Sequence, residues 1–365
     1  RKVAMPPWPH RIRVSVISMV VGGLFAPAVS AVVFNVDSYL DGIDDDLVDI
    51  VCHTVADTCT LRAAVMQANM MPGDSTIVLP AGTYSLTRLP VSPFGADNGD
   101  LNLTSPSGGN PTITLSGAGA ATTIIDAHFL DRVLSVHEYR TAIISGVTLR
   151  NGLQQGGSGG GVKNEGTLTV SYCTLSGNEA FYGGGILFTS FTSNGALTIS
   201  HSTLSGNIAG ADGGGIFSSE ALTISDSTLS GNIAFGTGGG FYFFSTLETA
   251  NVNQSTISSN SAAYGGGVHV GSGQLNLTNS TISENSATGD GGGIFNDGTI
   301  WTYNATIAFN HADSDDNGDG DGGGVYNADF FYPRNTVIAG NTHAGTPDLD
   351  DCTGTIGVFG HGWFS

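Results

Sequence analysis

Two groups of side chains in this chain have types and spacings that suit chemistry. The first is the run Asp313-Ser314-Asp315-Asp316-Asn317-Gly318-Asp319-Gly320-Asp321. Asp315, Asn317, Asp319 and Gly320 fall at positions one, three, five and six of a calcium loop, with Asp321 beside them, while position twelve is Tyr326 rather than Glu. The pattern predicts weak calcium binding of the extracellular kind, against the alternative of a solvated acidic turn. A second acidic run, Asp41, Asp44, Asp45, Asp46 and Asp49, has looser spacing. The other group appears on counting two residues past each Gly-Gly-Gly triplet, which picks out Lys163, Leu187, Phe217, Tyr242, His269, Phe295 and Tyr326. If these strands stack in register, Phe217, Tyr242, His269, Phe295 and Tyr326 make an outward aromatic stripe. Such a stripe can hold a sugar or a partner protein, or can simply stiffen the sheet.

The frame that would position both groups is a repeat. Seven triplets begin at Gly159, Gly183, Gly213, Gly238, Gly265, Gly291 and Gly322, each followed by an apolar residue and then by a Thr/Ser-rich segment such as Leu197 to Asn207. Apolar residues alternate with Thr and Ser there, and a period of two means strand. Short strands repeating about every 27 residues with no helical pattern between them specify one coil of a solenoid. The fold class is therefore all-β, a right-handed parallel β-helix in which each coil buries its apolar row against its neighbours. The closing Asn178, Asn207, Asn232, Asn260, Asn285, Asn310 and Asn341 suit left-handed turn positions and can stack as an amide ladder. The triplets mark bends where backbones approach closely.

Before the repeats, Leu61, Ala64, Val65 and Ala68 define one face of a short helix that Pro72-Gly73 ends. A helix here would cap the open end of the solenoid. Cys52 and Cys59 are close enough to form a disulfide, and Cys173, in a slot that other repeats fill with Ser, reads as a small buried thiol. Further upstream, Arg11 and Arg13 precede the apolar run Val14 to Phe25 and the small residues Ala26 to Ala31, the layout of an export signal. The division is thus 1-31 signal peptide, with 1-4 ahead of a start at Met5, 32-85 cap region and 86-365 β-helix, which we expect to be a fragment at its C-terminal end.

The segment Cys59-Thr60-Leu61-Arg62-Ala63-Ala64-Val65-Met66-Gln67-Ala68-Asn69, followed by Asp74 to Tyr84, resembles the CSLREA domain that opens many secreted bacterial β-helix proteins. Thr60 and Ala63 stand where that pattern has Ser and Glu. The Gly-Gly-Gly-Ile and Ser-Gly-Asn repeats are similar to those of polymorphic outer membrane proteins and pectin-lyase-like β-helices. These resemblances imply export and a secreted or cell-surface role.

The chain carries 11 Lys plus Arg against 31 Asp plus Glu, for a net charge of −20; without Arg1, Lys2, Arg11 and Arg13 it falls to −24. Nucleic acid and anionic membrane surfaces are excluded as partners, because binding them takes clustered cations. An extracellular glycan or surface protein fits, and the oligomeric state is open. Enzymes of the resembling fold that cleave acidic polysaccharides use carboxylates with an Arg or Lys. Here Arg62, Arg88, Arg132, Arg140, Arg150, Lys163 and Arg334 look scattered, which argues against lyase chemistry, and Asp126 with Asp131 or Glu138 is the pair that would serve a glycosidase. Gly156-Gly157-Ser158-Gly159-Gly160 matches a nucleophile elbow without its strand-to-helix context, and the nine His residues show no zinc spacing. No catalytic residue is assigned. The reading is an adhesin-like, non-enzymatic module with calcium as the only cofactor considered; a polysaccharide lyase or hydrolase and a structural spacer of the cell envelope are the alternatives.

Overall fold

The computed structural model describes residues 31–91, 96–105, 110–190, 195–344, 350–357 and 363–364. The expected export signal falls on residues 1–30, outside them. The described residues form a parallel β-helix of three sheets, of 18, eight and eleven strands, with one short helix. A typical coil runs through Ile216–Ser218, turns at Ser219 to Ala221, continues as Leu222–Ser225 and Thr228–Ser230, and closes through Ile233–Ala234 to the next triplet. Every strand pair between coils is parallel, as in Thr203↔Thr228, Leu204↔Leu229 and Ser205↔Ser230.

Alternation decides which side chains enter the core. Ile216, Leu222, Ile224 and Leu229 point inward and are wholly buried, and their equivalents in adjoining coils stack on them in one continuous core. Polar residues inside must find partners, and the repeat supplies these in columns. Asn178, Asn207, Asn232, Asn260, Asn285 and Asn310 each donate Nδ2 to the Oδ1 of the next Asn at 2.9 Å, and the last of them reaches Asn341. The ladder is present, but the Asn backbones are not the left-handed ones. That conformation belongs to the preceding residue, for example Gly206 and Gly231, and even Glu284 and Phe309. The amide is spent inside the stack, where it satisfies backbone N–H groups as well, so it cannot also shape the turn.

A second column follows the same logic. Ser202, Ser227 and Ser280 hydroxyls each accept from the backbone N–H of the slot in the coil before, and Cys173 stands at the head of this column, 2% exposed. Burial pushes its thiol up to about 11, so it is an inert packing residue. The triplets are required by contact between coils. A Cβ on Gly214 would lie 2.5 Å from the carbonyl oxygens of both Gly239 and Ile233.

The helix spans Leu61–Met70, with the Thr60 side chain accepting from the Ala63 N–H as its N-cap. It covers the first coil as expected. Leu61, Ala64, Val65 and Ala68 are buried, and so is Arg62, whose guanidinium donates to Asp41 Oδ1 at 2.5 Å and to the Gly99 carbonyl at 2.8 Å. Cys52 and Cys59 are joined by a disulfide. Among the described residues no helix is long and apolar enough to cross a membrane.

Candidate ligand-binding face

The second residue of each strand after a triplet lies in one unbroken register column. Asn102 pairs with Ser135, Ser135 with Lys163, Lys163 with Leu187, and Leu187 with Phe217. The column continues through Tyr242, His269, Phe295 and Tyr326. With strands about 4.8 Å apart, the six steps from Lys163 to Tyr326 span about 29 Å. The rings touch along the column, with centroids 5.2 Å apart for Phe217 and Tyr242, 4.8 Å for Tyr242 and His269, 4.8 Å for His269 and Phe295, and 5.0 Å for the stacked Phe295 and Tyr326.

The stripe is less exposed than alternation alone predicts. Phe217, Tyr242, Phe295 and Tyr326 are half-buried, while His269 is only 7% and Leu187 6% exposed. Neighbouring rings cause this. Tyr182 packs edge-on to Phe217, Tyr264 to Phe295, and Phe244 stacks on Tyr242. Tyr182 and Tyr264 each stand directly before a triplet, a slot that the other repeats fill with Ser158, Asp212, Thr237, Asp290 and Asp321, and Phe244 comes from a longer strand, so no repeated ring marks this flank in the sequence. His269 sits between two rings and donates from Nε2 to Asp297 Oδ2 over 3.3 Å, while its buried Nδ1 has no hydrogen-bond partner among the described residues. Burial lowers its pKa despite the pull of Asp297 and Asp212, so the ring is neutral at neutral pH. Burial, with Asp212 and Asp297 adding to it, pushes the Tyr242 hydroxyl up to about 12. It remains a donor.

At its N-terminal end the column runs into a cleft of about 570 Å³. Asp100, Asp131, Arg132, His137, Lys163 and Glu165 line it, and Ser135 and Gln154 contribute to its wall. Here the expectation of scattered cations is corrected. Arg132 lies three residues before Ser135, the register partner of Lys163, so folding delivers both cations to one cleft. Arg132 donates to Asp100 Oδ2 at 2.9 Å and to the carbonyls of Ser158 and Gly159; Lys163 Nζ donates to Glu165 Oε1 at 2.5 Å. His137 Nε2 meets Asn102 Oδ1 at 2.9 Å, and burial lowers its pKa, against the Glu165 charge and helped by Lys163 and Arg132. Asp100 is raised by burial in spite of Arg132.

The carboxylates singled out for a glycosidase divide differently. Asp131 belongs to the cleft, where its oxygens accept from the N–H groups of Asp100 and Arg132. Asp126 does not. It is held by Arg150 at 2.7 Å and Asn151 at 2.9 Å, and although burial works to raise its pKa, these donors bring it below the ordinary carboxylate value. Glu138 does not line the cleft.

The acidic loop joins the strand His311–Ala312 to the last triplet, ahead of the strand Val325–Arg334. Asp315, Asn317 and Asp319 are exposed, as is Asp321, whose N–H donates to Asp290. The loop is organised by Asp313, 1% exposed, whose carboxylate accepts from the N–H groups of Asn317 and Gly318. Asp41, Asp44, Asp45 and Asp49 are likewise engaged by Arg62, by backbone N–H groups and by His53. Among the described residues no group of three or more His, Cys, Asp or Glu side chains is gathered to hold a metal ion. Ser158 ends a strand with no helix after it, so the nucleophile-elbow pattern is a turn.

No family model, curated protein or solved structure matches this chain.

Proposed function

We propose that the protein is an exported, non-catalytic β-helix module, adhesin-like, that binds extended extracellular glycans along the face made by Lys163, Phe217, Tyr242, His269, Phe295 and Tyr326. The observation that carries this reading is the row of touching rings from Phe217 to Tyr326, about 19 Å long, in an unbroken register column that ends in a polar cleft. Sugar rings have apolar faces and polar rims, and a track that alternates aromatic surface with donors such as the Tyr242 hydroxyl suits both. The leader-like N-terminal sequence and the CSLREA-like segment support export. The test is retention on a panel of plant, algal and bacterial polysaccharides. Replacing Phe217, Tyr242 and Phe295 together by Ser is expected to abolish retention while the far-ultraviolet circular dichroism stays that of the parent; retention unchanged in that variant rejects the reading.

The cleft favours one second reading, polysaccharide cleavage. Asp100, Asp131 and Glu165 stand there with His137 and Lys163, the residue types that general acid–base catalysis employs. Release of new chain ends from any polymer of the panel would establish it, and their absence would leave binding alone.

A further inference from the structure

The cleft also carries information about which glycan the face takes. We infer that it selects amino sugars with a free ammonium group over acetylated and uronic sugars; this rests on the glycan-binding reading above. Three carboxylates, Asp100, Asp131 and Glu165, face two cations, Arg132 and Lys163, which leaves a formal charge of −1 with His137 neutral. Two of the carboxylates are matched. Asp100 is paired with Arg132 at 2.9 Å and Glu165 with Lys163 at 2.5 Å. Asp131 is surplus, since its partners are the neutral N–H groups of Asp100, Arg132 and Gln154. Asp131 is 9% exposed, in a wall where charge is poorly screened.

A uronate entering this cleft meets an uncompensated carboxylate, whereas an ammonium compensates it. The chain's net charge of −20 pushes in the same direction. Because Lys163 occupies the same column as Phe217, with Leu187 between them, a sugar at the cleft and sugars over the rings belong to one ligand. The selection holds while His137 is neutral and Asp100 ionised; burial lowers the pKa of the first and raises that of the second, so both limits lie on the acid side. Groups facing His137 are Glu165, with Oε2 at 4.0 Å, Asn102, Lys163 and Arg132.

The experiment is titration calorimetry of the full chain with three β-linked hexamers, of glucosamine, of N-acetylglucosamine and of a uronic acid, at mildly acidic pH. The glucosamine hexamer is expected to bind about tenfold more tightly than its acetylated form, the equivalent of about 1.4 kcal/mol, and the uronic hexamer more weakly than either. Glu165→Gln removes a charge from the cleft and should erase the preference; Lys163→Gln removes the opposite charge and should enlarge it. These opposite shifts cannot come from misfolding. Asp226→Asn, on an exposed turn away from the cleft, changes the net charge as Glu165→Gln does and should alter nothing. Equal affinity for the first two hexamers, or equal effects of Glu165→Gln and Asp226→Asn, overturns the inference while leaving glycan binding intact. If none of the hexamers binds, the glycan-binding reading fails and takes this inference with it.

Discussion

Arg62 Nε donates to Asp41 Oδ1 at 2.5 Å with the two side chains 0% and 2% exposed, so the capping helix is fastened to the first coil by a fully buried ion pair. Its guanidinium also holds the carbonyls of Ala96, Gly99 and Asp100. Arg62→Ala strands the Asp41 charge, and breaking a buried pair from one side costs about 3–5 kcal/mol. Urea denaturation should show that loss. A change under about 1 kcal/mol would mean that water replaces the guanidinium.

The Asn ladder predicts a penalty that depends on position. Asn232→Ala deprives Asn207 of the acceptor for both its Nδ2 and its backbone N–H, each at about 1–3 kcal/mol for a buried unsatisfied group. Asn178→Ala, at the N-terminal end of the ladder, removes an acceptor from the Gly152 N–H and from no other Asn, and should cost less. The two midpoints of denaturation, measured side by side, decide the matter.

Glycines of the same chain should answer differently to one methyl group. At Gly206 the φ is +61° and nothing lies within 4 Å of the place a Cβ would take, so Gly206→Ala costs only the left-handed backbone, about 1–2 kcal/mol. Gly214→Ala sets its Cβ 2.5 Å from two carbonyl oxygens in adjoining segments. Neither oxygen can withdraw without parting the coils, and the expected result is failure to accumulate folded protein or a loss well beyond that of Gly206→Ala. Thermal melts of both variants compare them directly.

The buried His269 makes stability acid-sensitive. Its folded pKa is below the ordinary value of about 6.5, so the unfolded chain takes up protons that the folded chain refuses. Its contribution is complete above about pH 6.5 and is lost as pH falls from there toward the folded pKa. His269→Phe should flatten this part of the profile. Melting temperatures of the parent and the variant, taken across that interval, should converge or cross as pH falls; curves that stay parallel would contradict the assignment.

Calcium remains a proposal for the acidic loop. Asp315, Asn317 and Asp319 are exposed, and Asn317 turns its Nδ2 to Asp315 Oδ2 at 3.1 Å, so a bound ion has to rearrange the loop to gather their oxygens. The affinity expected is that of extracellular modules, with a dissociation constant on the order of 10⁻⁴–10⁻³ M. Isothermal titration should show heat that the double variant Asp315→Ala, Asp319→Ala abolishes. Absence of such heat from the parent chain ends the proposal.

The solenoid is legible in the amino-acid order because its signals are local and repeated. Alternation around Leu222 and Ile224 sets which side chains enter the core, the triplets set where coils touch, and Leu61 to Ala68 carry their own helical period. The row from Phe217 to Tyr326 is legible too, since a constant offset within a repeat becomes a column once strands stack in register. How open that row is depends on the folded chain, because Tyr182, Phe244 and Tyr264 lean in, and the slot before a triplet that Tyr182 and Tyr264 share holds no ring in the other repeats. The cleft exists only there. Asp100, Arg132 and Glu165 come from coils whose lengths differ from the later repeat, and proximity across coils of unequal length depends on how each insertion folds back. A repeating pattern specifies what repeats; this cleft, which does not repeat, is a product of the stack as a whole.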